Sequence, residues 1–120
     1  MIRTKSIYDD RAESDGTRIL ITRIYPRFIK KQHFDERMLV LSPDRDTLRK
    51  WKHSQKTEED WKTFEEKFHP QMKDLAAMEA IAELRRRSSS GETITLLCFC
   101  KKGEQCHRYI IKSLIEDGHK

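Results

Sequence analysis

Apolar and polar positions follow two rhythms along this chain, and each change of rhythm marks an element. Ile2–Ile7 alternates weakly between apolar and polar residues, which predicts an opening edge strand. An acidic, turn-rich stretch from Tyr8 to Gly16 comes next. Arg18–Ile24 then gathers Ile19, Leu20, Ile21 and Ile24 into a near-continuous apolar run. Such a run belongs at the centre of a covered sheet. In Phe34–Leu41 the residues Met38, Leu39, Val40 and Leu41 fit either a further strand or a buried connection. Ile94–Cys100 is a second strong strand, and it leads through a polar turn with Gly103 into Cys106, His107 and Arg108.

Between these strands the spacing lengthens to three and four, the period of a helix face. Ser42, Pro43 and Asp44 make a helix start, with Leu48 and Trp51 on one side. Thr57 followed by Glu58, Glu59 and Asp60 is another start, and Trp61, Phe64, Phe68, Met72 and Leu75 form its apolar stripe. Pro70 predicts a kink or a fresh start, with a second piece running through Met78, Ile81 and Leu84. Arg85–Arg87, three serines and Gly91 close it. After Arg108 a last helix sets Ile110, Ile111, Leu114 and Ile115 on one face, and Asp117 with Gly118 predicts its stop.

The order of elements predicts a single α/β domain over residues 1–120, a mostly parallel sheet covered by helices in a three-layer, Rossmann-like arrangement. Composition adds three constraints. A chain of 120 residues holds one core. With 25 basic and 20 acidic residues the net charge of +5 is a modest bias towards anionic partners, short of a nucleic-acid signature. The three cysteines all lie within Cys98–Cys106, which points to a reducing cytoplasm, where close-set thiols are reduced, catalytic or metal-bound more often than paired. No apolar run approaches a membrane span, so a soluble protein is expected.

Tyr8 and Asp9, then Ser14, Asp15, Gly16, Arg18, Leu20, Arg23, Pro26 and Arg27, resemble the signature of the YeaO-like proteins, a family of domains of unknown function. Ser42, Pro43, Leu48, Arg49, Trp51, Trp61, Phe64, Leu96 and Leu97 extend the resemblance over most of the chain. Three positions depart from it: Thr22 stands in place of Asp, Tyr25 of Trp and Phe28 of Gly. The first removes a carboxylate that would have offered acid/base chemistry. The Cys106-His107-Arg108 ending resembles another branch of the same broader family. The resemblance implies a small α/β fold and no established activity.

Candidate chemistry collects at the carboxyl ends of the two strong strands, where open α/β sheets bind ligands. Cys106 beside cations at a helix amino terminus has the setting of a thiolate nucleophile, with His107 as a partner; the plainer reading is that both pack under Ile110 and Ile111. Arg108 offers a forked donor to an anion, or else pairs with a local acid such as Glu104. Arg23 and Arg27, with Lys30 and Lys31, crowd the exit of the other strand and face the same crevice if the two strands are parallel neighbours. A metal site from Cys98, Cys100, Cys106 and His107 is a weaker reading, because zinc motifs place their cysteine pair on a tight knuckle and not on a strand. No metal and no cofactor is assigned from the sequence. Arg85–Arg87 lacks the aromatic neighbours that stack on bases, so a solvated helix end is the better reading.

These residues lead to one expectation and two alternatives. The expectation is a phosphate-bearing small molecule or nucleotide in a crevice lined by Arg23, Arg27, Cys106, His107 and Arg108, with Cys106 or His107 as catalytic candidates. One alternative is a non-enzymatic module that binds nucleic acid or a protein through its basic rims. The other is thiol redox or metal chemistry at the cysteine cluster.

Overall fold

A computed structural model describes residues 1–25, 27, 29–30, 33–100 and 104–117. Pro26, Phe28, Lys31, Gly103 and Gly118 lie outside them. Four strands, β1 (Ile2–Ser6), β2 (Thr17–Leu20), β3 (Glu36–Arg37) and β4 (Ile94–Cys98), form one sheet in the order β1-β4-β2-β3. Every pairing is parallel: β4 sets Ile94 against both Ile2 and Thr17, and β2 sets Ile19 against Glu36. The two strong strands are therefore parallel neighbours, and β4 is buried along its whole length.

Four helices complete the described residues: α1 (Arg45–Lys52), α2 (Glu58–Gln71), α3 (Leu75–Ser89) and α4 (His107–Asp117). They bury one face of the sheet. Ile2, Ile19, Ile21, Ile94 and Leu96 meet Phe64, Phe68, Ala77, Ile81, Leu84, Ile111, Leu114 and Ile115 in one core. The alternate strand residues point the other way, where Ile7, Leu20 and Leu97 pack with Ile29, Phe34 and Phe99. That face is covered by the segments after β1 and β2, and the first of these carries a single 3-10 turn at Glu13–Asp15. Helices, sheet and loops make three layers.

The loop layer is held by charge. Arg18, on the loop-facing side of β2, has no exposed surface, and its guanidinium donates to Asp15 at 2.6 Å, to the His33 carbonyl at 2.8 Å and to the Asp9 carbonyl at 3.1 Å. Lys5 from β1 reaches the same carboxylate at 3.0 Å. Burial pushes the Asp15 pKa up, but the Ala12 N–H, Lys5 and Arg18 outweigh it and hold the carboxyl at about 2. Gly16 next to it has a φ of 64°, and a Cβ there would collide with the Thr93 carbonyl.

Several predicted boundaries move. β2 ends at Leu20, although the ladder continues for one bond from the Ile21 N–H to the Leu97 carbonyl, and Ile24 is exposed past the strand end. The run Met38–Leu41 supplies a 3-10 turn at Leu39–Leu41, and the short strand lies just before it. The cap of α1 is Asp44 and not Ser42, because the Asp44 carboxylate takes the Thr47 N–H at 2.8 Å while the Ser42 hydroxyl donates back to the Leu39 carbonyl. Thr57 caps α2 as expected, in a reciprocal bond pair with Asp60. Pro70 does end one helix, and α3 begins anew behind Asp74. The restart resets the phase, so Ala77, Ile81 and Leu84 face the core while Leu75 and Met78 are exposed.

Candidate functional site

At the carboxyl edge of the sheet, the ends of β2 and β4 and the start of α4 converge under α1 and α2. A pocket of about 60 Å³ lies there. Its walls are mostly aromatic and apolar, with Leu48, Trp51, Trp61, Phe64 and Phe99, and its inner end carries Cys98, Cys100, Cys106 and His107. Trp51, Trp61 and Phe64 hold one another at centroid distances of 4.7 to 6.0 Å, which fixes the α1–α2 side of the pocket. Arg23, Ile24, Leu48 and Lys52 also line a second, wider hollow of about 590 Å³ that contains Arg45, Arg49, His53 and one acid, Asp46. The narrow pocket thus adjoins a basic groove. A third hollow, of about 690 Å³, sits between Leu39, Val40 and the end of α2; its walls carry Arg23 and Lys73 beside Asp44 and Asp74, so its charges balance, and no cysteine or histidine lines it.

The thiols form one cluster. The sulfurs of Cys98, Cys100 and Cys106 all lie within 4.8 Å of one another. Those of Cys98 and Cys106 are 2.7 Å apart and buried, whereas Cys100 is partly exposed beyond the end of β4. Their titration is split by their shared hydrogen bonds. The S–H groups of Cys106 and Cys98 donate to Cys100, and the charge of Arg108 adds to this against the cost of burial, so the Cys100 pKa falls to about 3. Donation to Cys100 and burial push Cys98 up to about 12 and raise Cys106 well above the thiol range. The shared hydrogen bonds favour the thiolate at the exposed member of the cluster. Cys106, the nucleophile candidate of the sequence, is buried at the start of α4, and burial with its hydrogen bonds to Cys100 and Cys98 pushes its thiol up.

His107 is buried, and its Nε2 lies 2.6 Å from the Ile21 carbonyl, which can only accept. Burial lowers its pKa. The ring is therefore neutral with the proton on Nε2, and Nδ1 faces the Cys106 sulfur at 3.7 Å. Arg108 is also buried. It donates to the Cys100 carbonyl at 2.8 Å, the Lys5 carbonyl at 3.1 Å and the Cys98 sulfur at 3.2 Å, so it braces the end of β4 and does not line the crevice. Arg23 does line it, with Nε on the Pro43 carbonyl at 3.0 Å. Arg27 is exposed and lines neither the pocket nor the basic groove.

The groove's cations escape a reading of the sequence, although Arg45, Arg49 and Lys52 recur at steps of four and three and so share a face of α1. Cys100 enters that reading only as a metal-ligand candidate, because it reads as the last residue of a strand. Two arginines of the basic rim at Arg85–Arg87 are engaged within the protein: Arg85 donates to the Leu114 and Ile115 carbonyls, and Arg87 is held by Glu36 and Glu92, each at 2.7 Å, while Arg86 is exposed.

A family model described as "Active DUF488-N3 subclade" matches residues 2–119. The chain belongs to the DUF488-N3 subclade. This DUF488-N3 chain is similar to "Uncharacterized protein YeaO" of Escherichia coli (strain K12), at 32% identity over 112 residues and 92% of each chain. It is also similar to "Uncharacterized protein Mb3100c" of Mycobacterium bovis and "Uncharacterized protein Rv3073c" of Mycobacterium tuberculosis, each at 31% identity over 91 residues, 72% of this chain and 73% of theirs. No solved structure matches it. The YeaO-like resemblance read from Tyr8 to Arg27 is thus membership. No helix of the described residues is long and apolar enough to cross a membrane.

Proposed function

We propose that the protein binds a phosphate-bearing small molecule or nucleotide across the two adjoining hollows. The phosphate lies in the groove among Arg45, Arg49 and Lys52, with Arg23 at the junction, and the organic part reaches towards Trp51 and Trp61. One observation carries this reading: Arg23, Ile24, Leu48 and Lys52 line both spaces, so a cationic groove and an aromatic pocket lie side by side and share those four residues. Guanidinium forks suit phosphate oxygens, and the indoles of Trp51 and Trp61 offer apolar contact to a small organic part. Convergence of a few charged groups on an apolar recess is the usual form of a small-molecule site. The description of the family as active is in keeping with a ligand that meets the thiol cluster at the recess's inner end.

Thermal denaturation against inorganic phosphate, nucleoside monophosphates and nucleoside triphosphates tests it. A ligand held only by the folded state raises Tm with concentration. At least one nucleotide is expected to give a saturable rise that weakens with salt, and Arg45→Ala combined with Lys52→Ala should weaken its binding about tenfold or more, roughly 1.4 kcal/mol. Both residues are exposed, so the variant should keep the parent Tm without ligand. No rise with any phosphate compound, or an equal rise in the variant, would reject the reading.

A further inference from the structure

We propose that Cys100, Cys106 and Cys98 form a three-thiol relay that reduces a small hydroperoxide and stores the two oxidising equivalents as a Cys98–Cys106 disulfide. The geometry assigns each sulfur a different place. All three line the narrow pocket, but Cys100 alone of them is partly exposed, whereas Cys98 and Cys106 are only 1% and 2% exposed, and all three sulfurs fall within 4.8 Å. The pocket's 60 Å³ of apolar-walled space admits a few water-sized molecules. A hydroperoxide of a few heavy atoms fits that space. The cluster favours the thiolate at Cys100, the form that attacks peroxide oxygen.

The steps balance without a further group. The Cys100 thiolate attacks the outer oxygen of ROOH; an S–O bond forms, the O–O bond breaks, and the leaving alkoxide or hydroxide takes the proton from Cys106. Cys106, now a thiolate, attacks the Cys100 sulfenic sulfur; an S–S bond forms, and the departing hydroxide takes the proton from Cys98 and leaves as water. The Cys98 thiolate then attacks Cys106, whose sulfur is already 2.7 Å away, and Cys100 leaves as the thiolate with which the cycle began. The sum is two thiols and ROOH giving one disulfide, ROH and water. Arg108, donating to the Cys98 sulfur at 3.2 Å and the Cys100 carbonyl at 2.8 Å, keeps a positive charge beside the cluster at each stage. A small external dithiol restores the cycle by the same route in reverse, because exchange returns the disulfide to Cys100, the sulfur it can reach.

Peptide mapping of reduced, full-length protein after one equivalent of hydrogen peroxide tests the relay. The expected product is a Cys98–Cys106 disulfide with Cys100 still open to alkylation. Cys98→Ser should stop at a Cys100–Cys106 disulfide, and Cys106→Ser should leave a sulfenic acid on Cys100 that a dione reagent traps. Cys100→Ser should consume peroxide about tenfold more slowly or worse. Far-ultraviolet circular dichroism and the thermal midpoint establish that each variant folds, and the two trapping variants report the sequence of steps even if one of the others does not. A Cys100→Ser protein as fast as the parent, another disulfide in the parent, or zinc bound to the three sulfurs in protein purified without chelator would overturn it. None of these outcomes depends on whether the basic groove takes a phosphate.

Discussion

Arg18 and Asp15 place a charged pair where no water reaches, and the pair locks the loop layer to the sheet through one guanidinium and one carboxylate. Taking away one partner leaves the other charge buried and uncompensated, so Asp15→Ala should lower the unfolding free energy by about 3–5 kcal/mol in urea titrations. The same pair sets an acid limit. The folded-state pKa of about 2 lies below the ordinary 3.8, so the stabilisation from Asp15 is fully present above about pH 4 and is lost as pH falls towards 2. Asp15→Asn should flatten that part of the stability profile. Gly16→Ala at the neighbouring turn should cost about 2–3 kcal/mol, since its backbone sits at positive φ against the Thr93 carbonyl. Buried arginines are the least legible residues here. Arg18 reads in the sequence as a polar neighbour of an apolar run and Arg108 as a donor to an anion or to a local acid, because the carbonyls of Asp9, His33, Lys5 and Cys100 that receive them come from other segments of the chain and leave no periodic trace.

Helix starts are more legible than helix phases. The Thr57 and Asp60 reciprocal cap is a local pattern, and it is present as read. Thr57→Ala should reduce stability by about 1 kcal/mol, measurable as a shift in denaturation midpoint at unchanged m-value. At α1 two cap candidates compete two residues apart, and a tertiary partner decides the winner. Gln71 at the end of α2 donates to the Asp44 carboxylate at 3.0 Å and accepts the Asp44 N–H at 2.9 Å, which ties the start of one helix to the end of the next. Asp44→Ala should therefore cost more than Thr57→Ala, about 1–2 kcal/mol, and part of that cost should vanish in a Gln71→Ala background. Leu75 and Met78 show the limit of reading a stripe across a proline. The spacing is continuous through Pro70, but the break after Met72 rotates α3 relative to α2, and the two side chains turn outward.

At the scale of the molecule, the parallel relation of the two strong strands and the gathering of cysteines, His107 and Arg23 at one edge are accessible from the order of elements. The choice of face is not: every described helix after β3 falls on one side, and the opposite side is closed by chain with no helical period. The sheet order has a kinetic consequence as well. β4 stands between β1 and β2, and its partners lie more than 70 positions earlier, as in the pairings of Ile94 with Thr17 and with Ile2. Neither early strand has a main-chain partner for its inner edge until the chain has been made through Cys98. On the ribosome, the first three strands emerge as exposed edges that wait for the fourth, and refolding of the whole chain is governed by closing those long loops. Synthesis that pauses before Ile94 should then leave a species that binds holdase chaperones, and release past Cys98 should end that binding.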